Sequence, residues 1–183
     1  MALDKKAACA LLIIDMINNF DFKHGETLAA EAKTVSQNIY TLKKKLQKQN
    51  VPVVYINDHY KLWQADFQKI SETCTNERSK PIIDQLYPDD TDYFLIKPMH
   101  SAFYGTALNV LLDHLQVKHL ILTGIAGNIC VLFSANDAYM RGYQLSVPED
   151  CIASNDKHDN EYALRMMKNV LQADTTASSQ LKI

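Results

Sequence analysis

Short apolar runs rich in β-forming residues recur along the chain, and the longer segments between them carry apolar residues at helical spacing. The runs are ACALLIID (8–15), VPVVYIN (51–57), DYFLIK (92–97), HLILTGI (119–125) and YQLSVPED (143–150). Strands that are apolar on both faces must be covered on both faces, and intervening helices provide that cover. The alternation therefore specifies an α/β protein with a buried parallel sheet.

The helical segments are read the same way. Val35, Ile39, Leu42 and Leu46 form one apolar face running to about Gln49, and Leu108, Leu111, Leu112 and Leu115 form another. A helix from about Cys130 to Arg141 is closed by Gly142, with Arg141 in its last turn. A last helix from about Asp159 to Leu171 turns Ala163, Met166, Met167 and Val170 inward, and a weak sixth strand is expected near Asp174 to Ala177. Residues 58–90 are less regular. Trp63, Phe67 and Ile70 share a helical stripe, Pro81 and Pro88 punctuate the segment, and it reads as either a covering flap or an oligomer contact.

At 183 residues, with no repeat or linker, the chain reads as one domain over 1–183. Its 47% hydrophobic and 22% charged residues fit a globular protein and exclude a disordered chain. The net charge of −2 argues against nucleic acid or an anionic membrane as a partner. Lys43, Lys44, Lys45 and Lys48 form the one dense basic run, and it reads as a solvated helix face. Cys9, Cys74, Cys130 and Cys151 form no CxxC pair, so neither a zinc ribbon nor a disulfide scaffold is indicated. With no secretory signal and no stretch of about 20 apolar residues, the expected compartment is the reducing cytoplasm.

In open parallel sheets the ligand crevice lies beyond the carboxyl ends of the strands. Three reactive side chains fall there. Asp15 closes the first strand, where partial desolvation raises a carboxyl pKa and suits a proton acceptor. Lys97 closes the third strand, where its ammonium can hold Asp15 ionised and stabilise a thiolate. Cys130 follows the fourth strand at the start of a helix, whose N-terminus lowers a thiol's pKa. Together they supply a base, a cation and a nucleophile, the parts needed to attack a carbonyl and pass through a thioester. Cys9 and Cys151 read as small buried hydrophobes, and Cys74 has no paired base.

Three runs, LLIIDMINNF, KPMHSAFYGTAL (97–108) and GIAGNICVLFSANDAYMRGY (124–143), stand in the order found in the isochorismatase-like cysteine hydrolases, which the chain resembles over roughly residues 8–177. That superfamily includes nicotinamidases, N-carbamoylsarcosine amidases and ureidoacrylate amidases. The resemblance implies a Rossmann-like three-layer α/β/α domain with a six-stranded, mainly parallel sheet, and a triad of Asp15, Lys97 and Cys130. It also implies a cis peptide between Ile125 and Ala126, which aims the Ala126 and Cys130 N–H groups at the developing oxyanion. Asp15 then takes the thiol proton, passes a proton to the departing amine, and later activates the water that splits the thioester. A homo-oligomer acting on a small molecule is the implied form.

Two departures bear on the substrate. Nicotinamidases of this family bind a metal through an Asp, a His two residues on and a further His, whereas NDHYKLW (57–63) puts Tyr60 two residues after Asp58 and leaves His59 to project differently. No metal or other cofactor is expected. Gly127 stands where nicotinamidases often carry Thr, and Asn19 where many members carry Asp. Phe20, Trp63, Phe103 and Tyr104 are the candidate surfaces for stacking a flat substrate, Asn128 shapes the turn before the nucleophile, and His100 reads as a solvated loop residue. A metal-dependent nicotinamidase and a non-catalytic binding member of the fold are the competing readings.

Overall fold

A computed structural model describes residues 9–182. Its strands are β1 (Cys9–Ile14), β2 (Val53–Asp58), β3 (Tyr93–Lys97), β4 (His119–Ile125), β5 (Gln144–Ser146) and β6 (Ile152–Ala153). Between them run helices α1 (Gly25–Gln47), α2 (Phe67–Cys74), α3 (Lys80–Gln85), α4 (Leu108–His114), α5 (Leu132–Met140) and α6 (Lys157–Asn169). The sheet order is β3-β2-β1-β4-β5, with β6 also paired to β4, and every strand pairing is parallel.

Side-chain alternation along the strands divides the core in two. Ala10, Leu12, Ile14, Val54, Ile56, Leu120 and Leu122 face α4, α5 and α6, where Leu108, Leu112, Ala135, Ala138, Ala163 and Met167 meet them. Leu11, Ile13, Val53, Tyr55 and Ile121 point the other way, onto Leu28, Ala32, Val35, Ile39, Leu42 and Leu46 of α1. All six residues of β1 are consequently buried, which is why that run is apolar without a break.

Several sequence expectations need correction. The sixth strand is Ile152–Ala153, not residues 174–177. Pro148 cannot continue the ladder, so β5 stops at Ser146, a short 3₁₀ turn (Glu149–Cys151) intervenes, and the chain rejoins β4 as β6. Asp174 contributes only an isolated bridge to Ser146. Met166 and Val170 are not inward but half exposed, lining a groove of about 250 Å³ with Leu132 and Phe133. Residues 58–90 hold two short helices whose Ile70, Cys74 and Ile83 pack on Ile17, so this segment is an integral part of the domain.

The basic run of α1 is also not uniformly solvated. Lys43 is 2% exposed, with its ammonium 3.1 Å from Asp89 and 2.5 Å from Asp92, and Tyr55 Oη 3.2 Å away. The reason is periodic. Lys43 lies on the same stripe as Ile39, Leu42 and Leu46, and the acids before β3 supply the partners that a buried ammonium requires.

Candidate active site

Chain direction along the sheet reverses at β1. From β1 the chain moves outward to β2 and β3, then returns to place β4 on the other flank of β1. The crevice beyond the carboxyl ends of β1 and β4 is therefore the topological switch point. Asp15 leaves β1 on one side of it, and the turn after β4 carries Cys130 on the other.

Asp15 has a left-handed backbone (φ 54°) and its N–H donates to Ile56 O at 3.1 Å. Its Oδ1 accepts the Asp58 N–H at 2.9 Å, and its Oδ2 lies 2.9 Å from Lys97 Nζ. Close strand packing enforces this course. Gly124, opposite Ile14, has φ 114°, and a Cβ there would lie 2.0 Å from Ile14 O. Lys97 reaches across the end of β2. Its three N–H donors serve Asp15, Met99 O at 3.1 Å and Cys130 Sγ at 3.5 Å.

Cys130 lies in a wide helical turn, Gly127–Val131, that precedes α5. The Ile125–Ala126 peptide bond is cis, and Ala126 O accepts N–H bonds from Ile129 (3.0 Å) and Val131 (3.1 Å), on either side of the cysteine. Lys97 Nζ bridges the Asp15 carboxylate, at 2.9 Å, and the Cys130 sulfur, at 3.5 Å.

Electrostatics correct one expectation. The Cys130 thiol is not acidified in the resting protein. Burial, reinforced by the Asp15 carboxylate, pushes it up to about 12 despite the opposing pull of Lys97. Burial also raises Asp15 above the ordinary carboxylate range, against the pull of Lys97. Burial works against the Lys97 ammonium too, but Asp15 and the thiol outweigh it and its pKa rises. The resting arrangement is a neutral thiol beside a carboxylate–ammonium pair.

The sequence profile of the Isochorismatase domain matches residues 9–179. The chain belongs to the isochorismatase family. It is 60% identical over 176 residues to the uncharacterized isochorismatase family protein YaaI of Bacillus subtilis (strain 168), spanning 96% of this chain and 97% of that protein. Among solved structures it resembles N-carbamoylsarcosine amidase from Thermoplasma acidophilum (26% identity, TM-score 0.72, 96% of this chain and 99% of that one). It also resembles pyrazinamidase/nicotinamidase from Streptococcus mutans UA159 (26% identity, TM-score 0.73, 91% and 99%).

In this isochorismatase-family hydrolase a second layer fixes the cysteine turn. Ser134 Oγ donates to Cys130 O at 2.6 Å and accepts the Ala102 N–H at 2.9 Å, which ties the loop after β3 to the start of α5. Ser154 Oγ accepts the Asn128 N–H at 3.0 Å and donates to Asn160 Oδ1 at 2.8 Å. A Cβ on Gly127 would lie 2.3 Å from that Asn160 oxygen, so Asn160 occupies the space a threonine would need.

The family's metal site does not fit these residues. Asp58 Oδ1 accepts the Tyr60 N–H at 2.8 Å, and His59 accepts from the Lys61 N–H at 3.0 Å while stacking on Trp63 at 3.8 Å. The Tyr60 side chain packs inward on the cluster of Ile17, Ile70, Cys74 and Ile83. Burial first, then Tyr60's acidic neighbours, raises its pKa, so it stays a neutral phenol. Among the described residues no group of three or more His, Cys, Asp or Glu side chains is placed to hold a metal ion.

The proposed stacking surfaces separate. Phe20 and Phe103 are both taken up in core packing. Phe20 is fully buried in the α1-side core, and Phe103 in the opposite core, beneath the Arg141 guanidinium at 4.8 Å. Trp63 and Tyr104 remain exposed. His100, by contrast, is brought to the site: its Nδ1 lies 3.9 Å from Cys130 Sγ. The course of the loop after Lys97 brings the ring there.

Proposed function

We propose that this protein is an amidase-type cysteine hydrolase that cleaves a C–N bond of a small carboxamide or ureido compound through a thioester on Cys130. The observation that carries the reading is the convergence of Asp15, Lys97 and Cys130, with Lys97 Nζ 2.9 Å from the carboxylate and 3.5 Å from the sulfur. Likeness to an amidase acting on N-carbamoylsarcosine supports the chemical class.

On this reading Asp15 takes the thiol proton as Sγ bonds to the carbonyl carbon. The Ala126 and Cys130 N–H groups receive the oxyanion. Collapse breaks the C–N bond, and the proton on Asp15 goes to the departing nitrogen. Water then adds to the thioester, the acid leaves, and a proton returns to sulfur. Lys97 keeps Asp15 charged before the reaction and offsets the thiolate during it. The raised thiol pKa suits this order, since little thiolate exists until substrate and base act together.

A small-molecule substrate and a cytoplasmic home complete the reading. All four cysteines are free, as a reducing compartment favours, and no helix among the described residues is long and apolar enough to cross a membrane. A homo-oligomer is the form the resemblance implies, and the groove between α5 and α6 is the surface we assign to that contact. Phe133, Met140, Tyr162, Met166 and Val170 all stand about half exposed or more on those two helices.

Ammonia release from a panel of amides, ureido acids and nicotinamide, measured with and without a strong chelator, tests the reading. Turnover that survives chelation and vanishes in Cys130→Ala is expected. Turnover that chelation abolishes and zinc, manganese or iron restores would instead establish the metal-dependent nicotinamidase.

A further inference from the structure

The two halves of thioester chemistry need a proton acceptor at different places. Acylation needs one beside the sulfur, where Asp15 is joined to it through Lys97 Nζ. Deacylation needs one beside a water that approaches the acyl carbon from the open side of the site. Asp15 is poorly placed for the second task. It is 6% exposed, with Oδ1 accepting the Asp58 N–H and Oδ2 paired to Lys97, so it has little access to a water arriving from solvent.

His100 has the complementary placement. It is solvent-exposed in the loop after β3, its Nδ1 is 3.9 Å from Cys130 Sγ, and its ring lies against Phe133 at 5.7 Å. Loop and ring are held from both sides. Lys97 donates to Met99 O, the Ala102 N–H donates to Ser134 Oγ, and Ser101 Oγ donates to Asp137 on α5. The charged groups about the imidazole are thus Lys97, with Asp15 behind it, and Asp137, which Arg141 pairs at 3.0 Å. A water bridging Nδ1 and an acyl carbon attached to Sγ would fill the space between them.

We propose that His100 is the catalytic base of deacylation, in place of the Asp15 that the family resemblance implies for that step. The step balances simply. Water oxygen bonds to the thioester carbon as its proton passes to His100 Nδ1. The C–S bond then breaks, the carboxylic acid leaves, and the proton on His100 returns to the thiolate. The proposal rests on Cys130 being the nucleophile.

The test uses p-nitrophenyl acetate with the full-length protein, His100→Gln and His100→Ala. Wild type is expected to release p-nitrophenolate in a small burst followed by steady turnover. In both variants the burst should rise toward one equivalent per site, while the steady rate falls by roughly a hundredfold or more. Mass analysis should find the acetyl group on the Cys130 peptide, and added imidazole should restore turnover in His100→Ala. A loop that merely lost its shape would slow the burst as well and would not respond to imidazole. An acetyl group trapped on Cys130 with an unchanged steady rate in the variants would overturn the role of His100 alone. Absence of any adduct on Cys130, with Cys130→Ala still active, would overturn the nucleophile itself.

Discussion

At the scale of single residues, the site is a proton network whose members cannot be valued separately. The buried Lys97 has no donor to spare, and Asp15 is raised by burial while held ionised by that same lysine. Removing either partner leaves the other as an uncompensated buried group, as well as stranding the thiol. Asp15→Asn and Lys97→Ala should each lower kcat/KM by orders of magnitude, and the double variant should lose little more than the worse single one. Steady-state kinetics on the two single variants and the double would show this; small, additive losses would mean that the residues are merely neighbours. The three positions were legible from their places at strand ends. The thiol's environment was not. The positive end of a helix argued for an acidic cysteine, but the desolvation and the facing carboxylate that outweigh it are products of the fold. The placement of His100 was equally hidden, since only the loop course between Lys97 and Ser101 brings its ring back to the sulfur.

At the scale of elements, the long buried strands and helices could be read from the sequence because hydrophobic period reports burial directly. β4 lies over the span expected, His119–Ile125, and each of the five apolar runs contains a strand, whereas the sixth expected near 174–177 is only an isolated bridge. β6 was missed because two residues carry no period. The helix α2 showed only as the stripe at Phe67 and Ile70, and α3 was missed, because a packed satellite core needs few apolar positions. The Lys43 lock between α1 and the approach to β3 gives an elemental test. Lys43→Met would leave Asp92, itself 2% exposed, without its cation, and should destabilise the fold by about 3 kcal/mol or more. Adding Asp92→Leu should recover part of that loss. The same corner has an acid signature. A hydrogen bond from Gln47, with Lys43 and Lys44 adding to it against burial, holds the Asp89 carboxyl down at about 2. A carboxyl lowered on folding contributes stability above its unfolded value near 4, which is lost as pH falls through about 2. Thermal unfolding from pH 5 to pH 2 should therefore show a declining midpoint, and Gln47→Leu should make that decline shallower. An equal decline in both proteins would remove Asp89 from the account.

At the scale of the whole molecule, the reversal of strand order between β1 and β4 makes the crevice, and three separate strand ends feed it. The opposite requirement, a hydrophobic surface needing cover, falls on α5 and α6. Sedimentation of wild type should show an oligomer. Met166→Lys, which places a charge in the groove without touching the triad, should shift the distribution toward monomer; an unchanged distribution would place the subunit contact elsewhere. The central claim is covalent catalysis at Cys130, and trapping the intermediate tests it most directly. Acid quenching during turnover of a carboxamide with a good leaving group should yield protein heavier by the acyl part, with the added mass on the peptide that holds Cys130 and removable by hydroxylamine. Product formation in single turnover with no adduct and no burst of amine, together with an active Cys130→Ala, would contradict it.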